Sequence, residues 1–151
     1  KAGERPFPVS AGRAPRFGPL ICYEVLFPGL TPRGEDRPDW LVNISIDAWY
    51  GTGAGPAQHF AQARYRAIEE GLPLARSASG GVSAIIDGYG RITSASQIYS
   101  VDGETVWAAK IAQGYLPTAL KPTVFARFGW LAPLAVFVIL CAVLLIMSRK
   151  K

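Results

Sequence analysis

Cys22 is the residue in this chain best suited to chemistry. It closes the apolar run Pro19-Leu20-Ile21-Cys22-Tyr23 and is followed at once by Glu24. A nucleophile at the end of a buried strand is rigidly held yet open to substrate. A thiol attacks carbonyl carbon as its thiolate, which needs a base or a cation nearby because a free thiol ionises only at about pH 8.5. The backbone N–H of Tyr23 can donate to the oxyanion that such an attack creates. Composition leaves a second reading of Cys22 open, a core cysteine packed as a small apolar residue. His59 is the single histidine and invites a Cys–His pairing, although its place near the start of an amphipathic helix better suits a surface or packing residue. One histidine and one cysteine outside the apolar C-terminal stretch cannot complete a four-ligand zinc set, so neither a metal nor another cofactor is expected.

The elements that must position Cys22 are short and mixed. Residues 1–18 are rich in Gly, Pro and Arg and read as loop or edge. The run 19–23 suits a buried strand, and Trp40-Leu41-Val42-Asn43-Ile44-Ser45-Ile46 suits a second one, apolar and β-branched. A Gly-rich turn over 51–55 leads to Pro56 and a helix over 57–70. There Ala57, Phe60, Ala61, Arg64, Ala67 and Ile68 share a face, Arg66 can pair with Glu69 or Glu70, and Gly71 stands at the C-cap. Strands are expected over 74–77 and 82–87, then a tight turn at Gly88-Tyr89-Gly90 into a strand from Arg91, and a last strand over 105–111. This order is mixed α/β without an internal repeat. Within it, Asn43 and Asp47 offer two readings, orienting loops near the site or, the favoured one, a structural role.

Composition narrows the class. Of 151 residues, 50% are hydrophobic and 18% charged, which excludes intrinsic disorder, and the 16 Gly and 12 Pro show no collagen-like period. The apolar residues are concentrated at the C-terminus. Residues 128–147, FGWLAPLAVFVILCAVLLIM, contain no charged side chain and as a helix would span about 30 Å, the thickness of a bilayer core. Trp130 stands at one end as an interfacial aromatic, and Arg149, Lys150 and Lys151 close the other. Cys141 lies inside this span and reads as structural. The net charge is +5, of which the C-terminal triplet supplies three. The remainder is nearly neutral, so no nucleic-acid partner is expected; the basic tail reads as a cytoplasmic anchor with residues 1–127 on the outer side. The chain begins with Lys1 and its single methionine is Met147, which suggests a fragment of a longer protein.

The motifs carry a resemblance. Residues 19–28, PLICYEVLFP, resemble the nucleophile segment of the apolipoprotein N-acyltransferases, membrane members of the nitrilase (carbon–nitrogen hydrolase) superfamily. The similarity continues through Asn43-Ile44-Ser45-Ile46-Asp47-Ala48-Trp49-Tyr50-Gly51, Gly55-Pro56-Ala57-Gln58-His59, the helix with Arg64, Arg66 and Glu69, and the stretch 76–87. It covers roughly residues 17–147. Plain nitrilases and amidases usually carry Asp two residues after the cysteine, whereas Cys22-Tyr23-Glu24 looks like the acyltransferase branch. Ile46 stands where that family commonly has Asn, and the run 77–81 replaces its usual Thr-Asn-Thr-Gly.

The resemblance implies the C-terminal half of an α-β-β-α sandwich over residues 1–127, one transmembrane helix over 128–147 and a cytoplasmic tail over 148–151. It implies Cys22 as nucleophile, Tyr23 and Glu24 as the adjacent positions needed for activity, and Trp49 as either a wall of the acyl pocket or a core residue. The implied reaction is ping-pong transfer, through a Cys22 thioester, from a phospholipid acyl donor to the α-amine of a lipoprotein's diacylglyceryl-cysteine. It takes place in the bacterial inner membrane with the catalytic domain facing the periplasm. The superfamily's Glu base and oxyanion-steadying Lys precede the cysteine in chain order. Here Glu4 and Lys1 sit in no matching motif, so neither is assigned, and the chain alone is expected to be inactive. Two rivals stand beside this reading, a membrane-tethered amidase using Cys22 and a catalytically dead anchored domain that binds a partner.

Overall fold

The computed structural model describes residues 8–10, 12–96, 99–101, 104–106 and 111–148. Five strands form one mixed sheet in chain order: β1 (Phe17–Ile21), β2 (Trp40–Ile46), β3 (Leu74–Ser79), β4 (Ala84–Ile86) and β5 (Ile92–Ala95). The first three run parallel, and β4 and β5 turn back antiparallel. Parallel neighbours need a crossover, which α1 (Gly55–Glu70) supplies between β2 and β3. A separate hairpin joins β6 (Tyr99–Val101) and β7 (Glu104–Val106), and two helices follow, α2 (Val124–Phe128) and α3 (Leu131–Ser148).

Several sequence expectations shift by a few residues. The first strand ends at Ile21, one residue before Cys22, which begins a 3₁₀ turn over Cys22–Leu26. The third strand extends to Ser79 and the fourth is confined to Ala84–Ile86. The expected hairpin is present. Asp87 Oδ1 accepts from the N–H groups of Tyr89 and Arg91, which shapes the turn between β4 and β5. Of the strand expected over 105–111, positions 105 and 106 belong to β7, Ile111 is in no strand, and 107–110 lie outside the described residues, as do Lys1, Glu4 and the basic tail.

Helix α1 begins with Pro56 in its first turn and ends at Gly71, whose φ of 64° lets it close the C-terminus where a Cβ would be strained. Its buried face differs from the expected one. Pro56, His59, Ala63, Arg66, Ala67 and Glu70 point inward, whereas Ala57, Arg64 and Ile68 are exposed. The reason is that polar groups are buried here with partners. Arg66 Nε and Nη2 donate to the carbonyls of Val25 and Leu26, and Arg66 also pairs with Glu69. These bonds tie the helix to the turn that carries Cys22. The apolar core between α1 and the sheet comprises Leu20, Val25, Leu41, Ala63, Ala67, Leu72, Leu74, Ala84 and Ile86.

The sheet is amphipathic in an inverted sense. Along β2, Leu41, Asn43 and Ser45 face α1 and are buried, whereas Ile44 and Ile46 on the opposite face are more than half exposed, as is Ile21 of β1. Parallel sheets are ordinarily covered on both faces, so this apolar face is suited to a second layer such as the sandwich supplies.

Glu70 is 1% exposed, and its Oε1 has no hydrogen-bond partner among the described residues. Burial pushes its carboxyl above the usual range, against the opposing pull of Arg66 and Arg33. A raised acid holds its proton in the folded state after the unfolded chain has lost it. Its contribution is therefore fully present below the unfolded value of about 4.3 and lost as pH rises through the folded one. Glu70→Gln is expected to be more stable than the wild type at pH 8 and equal to it near pH 4. Denaturant midpoints of the complete protein in detergent check this, and a Gln variant weaker at pH 8 would contradict it.

Helix α3 is long and apolar enough to cross a membrane, and none of its residues is buried against the rest of the protein. It starts three residues later than the expected span, because Phe128 closes α2 and Gly129, at φ 56°, breaks the chain direction. Pro133 sits in its first turn, where a missing N–H costs least.

Candidate active site

Cys22 stands where β1 stops and a tight turn begins, with φ 49°; it is the one described non-glycine residue with positive φ. A side chain in the left-handed region costs about 1–3 kcal/mol and persists only when its surroundings hold it. Three side chains hold this corner. Glu24 Oε2 accepts the N–H of Ile21 at 2.7 Å, closing the turn over the cysteine. Asn43 Nδ2, from the neighbouring strand, donates to the carbonyls of Leu20 at 2.8 Å and Cys22 at 3.3 Å. Ser45 Oγ lies 3.6 Å from Cys22 Sγ.

Beneath the corner lies a buried polar cluster. Asp47 is fully buried and accepts from Ser45 Oγ at 2.7 Å, from His59 Nδ1 at 2.8 Å and from Arg76 Nη2 at 2.5 Å. The second arm of the Arg76 guanidinium donates to Asn43 Oδ1. Burial would raise the Asp47 carboxyl, but the Ser45 hydrogen bond and the Arg76 charge outweigh it and hold the group below the usual carboxylate range. An ionised carboxylate only accepts, so His59 carries its proton on Nδ1, and Arg76 Nη2 at 3.3 Å from that nitrogen is a close approach between two donors. Ser45 has one proton to give. While Ser45 donates to Asp47, its oxygen is left to accept from the Cys22 thiol; facing a thiolate, it can turn and donate to sulfur.

The three loops at the carboxyl ends of the parallel strands converge here, as ligand-binding loops do in open α/β sheets. They are the Cys22–Leu26 turn after β1, the Asp47–Tyr50 turn after β2, and Gly80 and Gly81 after β3. Gly81 packs so closely on Asp47 that a Cβ there would overlap the carboxylate. Beside the corner is an open cleft of about 230 Å³ lined by Tyr23, Leu26, Tyr50, Gln58, His59 and Gln62. The rings of Tyr23 and Tyr50 flank His59, with centroids 6.3 and 5.4 Å away. Burial, and then the neighbouring Cys22 and Tyr23, push the Tyr50 phenol up, so it stays a hydrogen-bond donor at neutral pH.

The residues singled out from sequence fall into place unequally. Cys22, Tyr23 and Glu24 share the corner, with Tyr23 half-exposed over the cleft and Glu24 acting on the backbone. Trp49 sits on the adjacent turn and is 85% exposed, which excludes the core reading of that residue in this structure. His59 is buried against Asp47, and the hydroxyl beside the Cys22 sulfur is that of Ser45. Ser45 and Arg76 carry weight that sequence reasoning missed, and Asn43 and Asp47 are more central than loop-orienting residues. A signal existed, since Asn43, Ser45 and Asp47 alternate with apolar residues, placing three polar groups on one face. Among the described residues no cluster has the composition of a metal site.

A family model described as carbon–nitrogen hydrolase matches residues 1–116. An apolipoprotein N-acyltransferase from Bradyrhizobium diazoefficiens is 50% identical over 137 residues, covering 91% of this chain and 24% of that protein. Proteins of the same name from Rhodopseudomonas palustris and Rickettsia prowazekii are 44% and 42% identical, over 91% and 86% of this chain. The chain spans about a quarter of the length of these curated relatives. Among solved structures, an amidase from Nesterenkonia sp. AN1 aligns with a TM-score of 0.43 and 20% identity, covering 62% of this chain and 39% of that one.

Proposed function

Because the chain belongs to the carbon–nitrogen hydrolase family, we propose that it is the nucleophile-bearing part of an apolipoprotein N-acyltransferase with a nitrilase-like α/β fold. The observation that carries this reading is the placement of Cys22 on a strained corner at the carboxyl end of β1, with Ser45 Oγ 3.6 Å from its sulfur and an open cleft alongside. In the first half-reaction the Cys22 thiolate attacks the ester carbonyl carbon of a phospholipid. A C–S bond forms, and the carbonyl pair moves onto oxygen, where the N–H of Tyr23 donates to it. Collapse breaks the ester C–O bond and releases a lysophospholipid, whose alkoxide takes up a proton, leaving a thioester on Cys22. In the second half-reaction the neutral α-amine of a diacylglyceryl-cysteine attacks that thioester, gives up a proton, and expels the thiolate as the amide forms.

In this reading Glu24 is a positioning residue that fixes the turn through the N–H of Ile21, and Trp49 lines the path of the acyl chain. The proton carrier and the oxyanion-steadying cation are assigned to no residue of this chain, and the 151-residue chain by itself is inactive. Residues 1–127 form the extracytoplasmic part, α3 anchors it in the bacterial inner membrane, and 148–151 lie in the cytoplasm. Both substrates then reach Cys22 from the bilayer.

The test is to incubate membranes holding the full-length enzyme with acyl-labelled phospholipid. A hydroxylamine-sensitive label on the protein, absent from Cys22→Ala, is the expected result. Turnover of small amides without a lipid-derived adduct would replace this reading with the tethered hydrolase.

A further inference from the structure

A second concavity, of about 260 Å³, opens at the C-terminal end of α1. Glu70, which lines it, is roughly 16 Å along the helix from His59 at about 1.5 Å per residue. Arg33, Arg37 and Arg127 line it together with Glu70, Pro122 and Ala126. Arg37 Nη2 donates to the carbonyls of Glu70, Gly71 and Leu120, but its Nε is buried without a partner, as is the Nε of Arg33. Among the described residues the ion pairs are His59–Asp47, Arg66–Glu69, Arg76–Asp47 and Arg91–Asp87, so none of these three arginines pairs with a carboxylate within 4.0 Å. That includes Glu35 and Asp36, exposed on the turn between Arg33 and Arg37. The lining thus sets three guanidinium groups against one carboxylate, and that carboxylate is almost wholly buried with one oxygen unpartnered.

Unmatched positive charge at a partly buried site is costly unless an anion balances it. Guanidinium forks with free N–H groups match the oxygens of a phosphate in particular. Burial pushes the Glu70 carboxyl up, which makes it a weaker counter-charge to the arginines around it. The position is equally suggestive. Arg33 reaches Gly129 so closely that a Cβ there would lie 3.0 Å from Nη2, and α3 begins two residues later. A membrane-crossing α3 would put this cavity at headgroup level, where lipid phosphates lie.

We propose that Arg33, Arg37 and Arg127 form a phosphate-binding site at the root of α3, distinct from the Cys22 corner, taking either the phosphate of an anionic phospholipid or free phosphate. The lipid source rests on the membrane reading of α3; the site itself does not.

The test uses the complete protein purified in neutral detergent, with its thermal midpoint followed during titration with inorganic phosphate. A second arm compares phosphatidylglycerol-containing with phosphatidylcholine-only nanodiscs. A saturable rise of the midpoint is expected, with Arg33→Gln and Arg127→Ala each weakening it about tenfold, the scale of a lost charge-assisted contact. Arg13→Ala, which removes an exposed charge elsewhere, should leave the response unchanged. A response to phosphate alone identifies free phosphate as the ligand, and one to phosphatidylglycerol that needs Arg127 identifies a lipid headgroup. Arg127 is exposed and has no partner among the described residues, so its variant should fold and keeps the test readable if Arg33→Gln does not. The proposal falls if neither arm gives a saturable shift, or if Arg13→Ala weakens the response as much as Arg127→Ala, which would be attraction by net charge. Repeating both arms in Cys22→Ala separates this outcome from any failure of acyl transfer.

Discussion

Replacing Cys22 with glycine is expected to abolish acyl transfer and, at the same time, to stabilise the protein relative to Cys22→Ala. Both variants lose the thiol proposed as nucleophile, and removing a covalent nucleophile typically costs turnover by about 10⁴-fold or more. They differ in the backbone. At φ 49° an alanine keeps the Cβ that makes the left-handed region unfavourable, whereas glycine has none. The usual order, in which alanine is the more stable of the two, should therefore reverse here by about 1 kcal/mol. Urea midpoints of the two variants in detergent, measured beside the adduct assay, give both numbers. If the glycine variant is the weaker, the corner is not strained and the argument that the fold holds the thiol in place at a cost fails. The strain is the structural counterpart of a nucleophile elbow, in which a sharp strand-to-turn corner lifts the reactive atom clear of the sheet.

The second large effect is on stability. Asp47→Ala removes the acceptor shared by Ser45, His59 and Arg76, leaving the Arg76 guanidinium, whose side chain is 0% exposed, without its counter-charge. Breaking a buried pair by deleting one partner costs about 3–5 kcal/mol, because the survivor is an uncompensated charge in a poor solvent for it. The loss should also reach the reaction. Arg76 holds Asn43, and Asn43 holds the carbonyls of Leu20 and Cys22, so acylation should fall as well. Arg76→Lys in the wild-type background should not preserve the network, since a point charge cannot bridge Asn43 and Asp47 as a fork does. The pH dependence follows from the lowered Asp47 carboxyl. Its contribution is present above the unfolded value of about 3.9 and is lost as pH falls through the lower folded one. Denaturant midpoints at pH 7 and below pH 4 read both effects, and a cost of Asp47→Ala below about 1 kcal/mol would mean that the cluster is solvated rather than buried.

What was legible in the chain was what local chemistry encodes. Cys22-Tyr23-Glu24 at the end of an apolar run marked the corner within one residue of its place. Pro56 and Gly71 bounded α1 because one lacks an N–H and the other tolerates a positive φ. Gly88-Tyr89-Gly90 marked the hairpin, which bonds to Asp87 from Tyr89 and Arg91 close within five residues. The charge-free stretch before Arg149 declared α3 by composition alone. Each of these signals acts over a few residues, so each can be read without knowing the fold.

Tertiary structure alone decided which face of α1 is buried and who accompanies Cys22. Hydrophobic periodicity pointed to Ala57, Phe60, Ala61, Arg64, Ala67 and Ile68, of which Ala67 is buried and Phe60 packs against the core, but the inward face also carries His59, Arg66 and Glu70. His59 and Arg66 enter the interior because partners from distant segments meet them: Val25 and Leu26 for Arg66, and Asp47 for His59. Likewise Arg76 joins Asp47 across 29 residues, and Ser45 reaches Cys22 across 23. A buried polar side chain leaves no apolar trace in the sequence, and its burial is favourable only once a partner far along the chain has been brought to it. The chain by itself thus specified the corner at Cys22, the turns and the apolar helix. The folded sheet supplied the network that holds Cys22, since only folding creates the low-dielectric space in which those long-range pairs form.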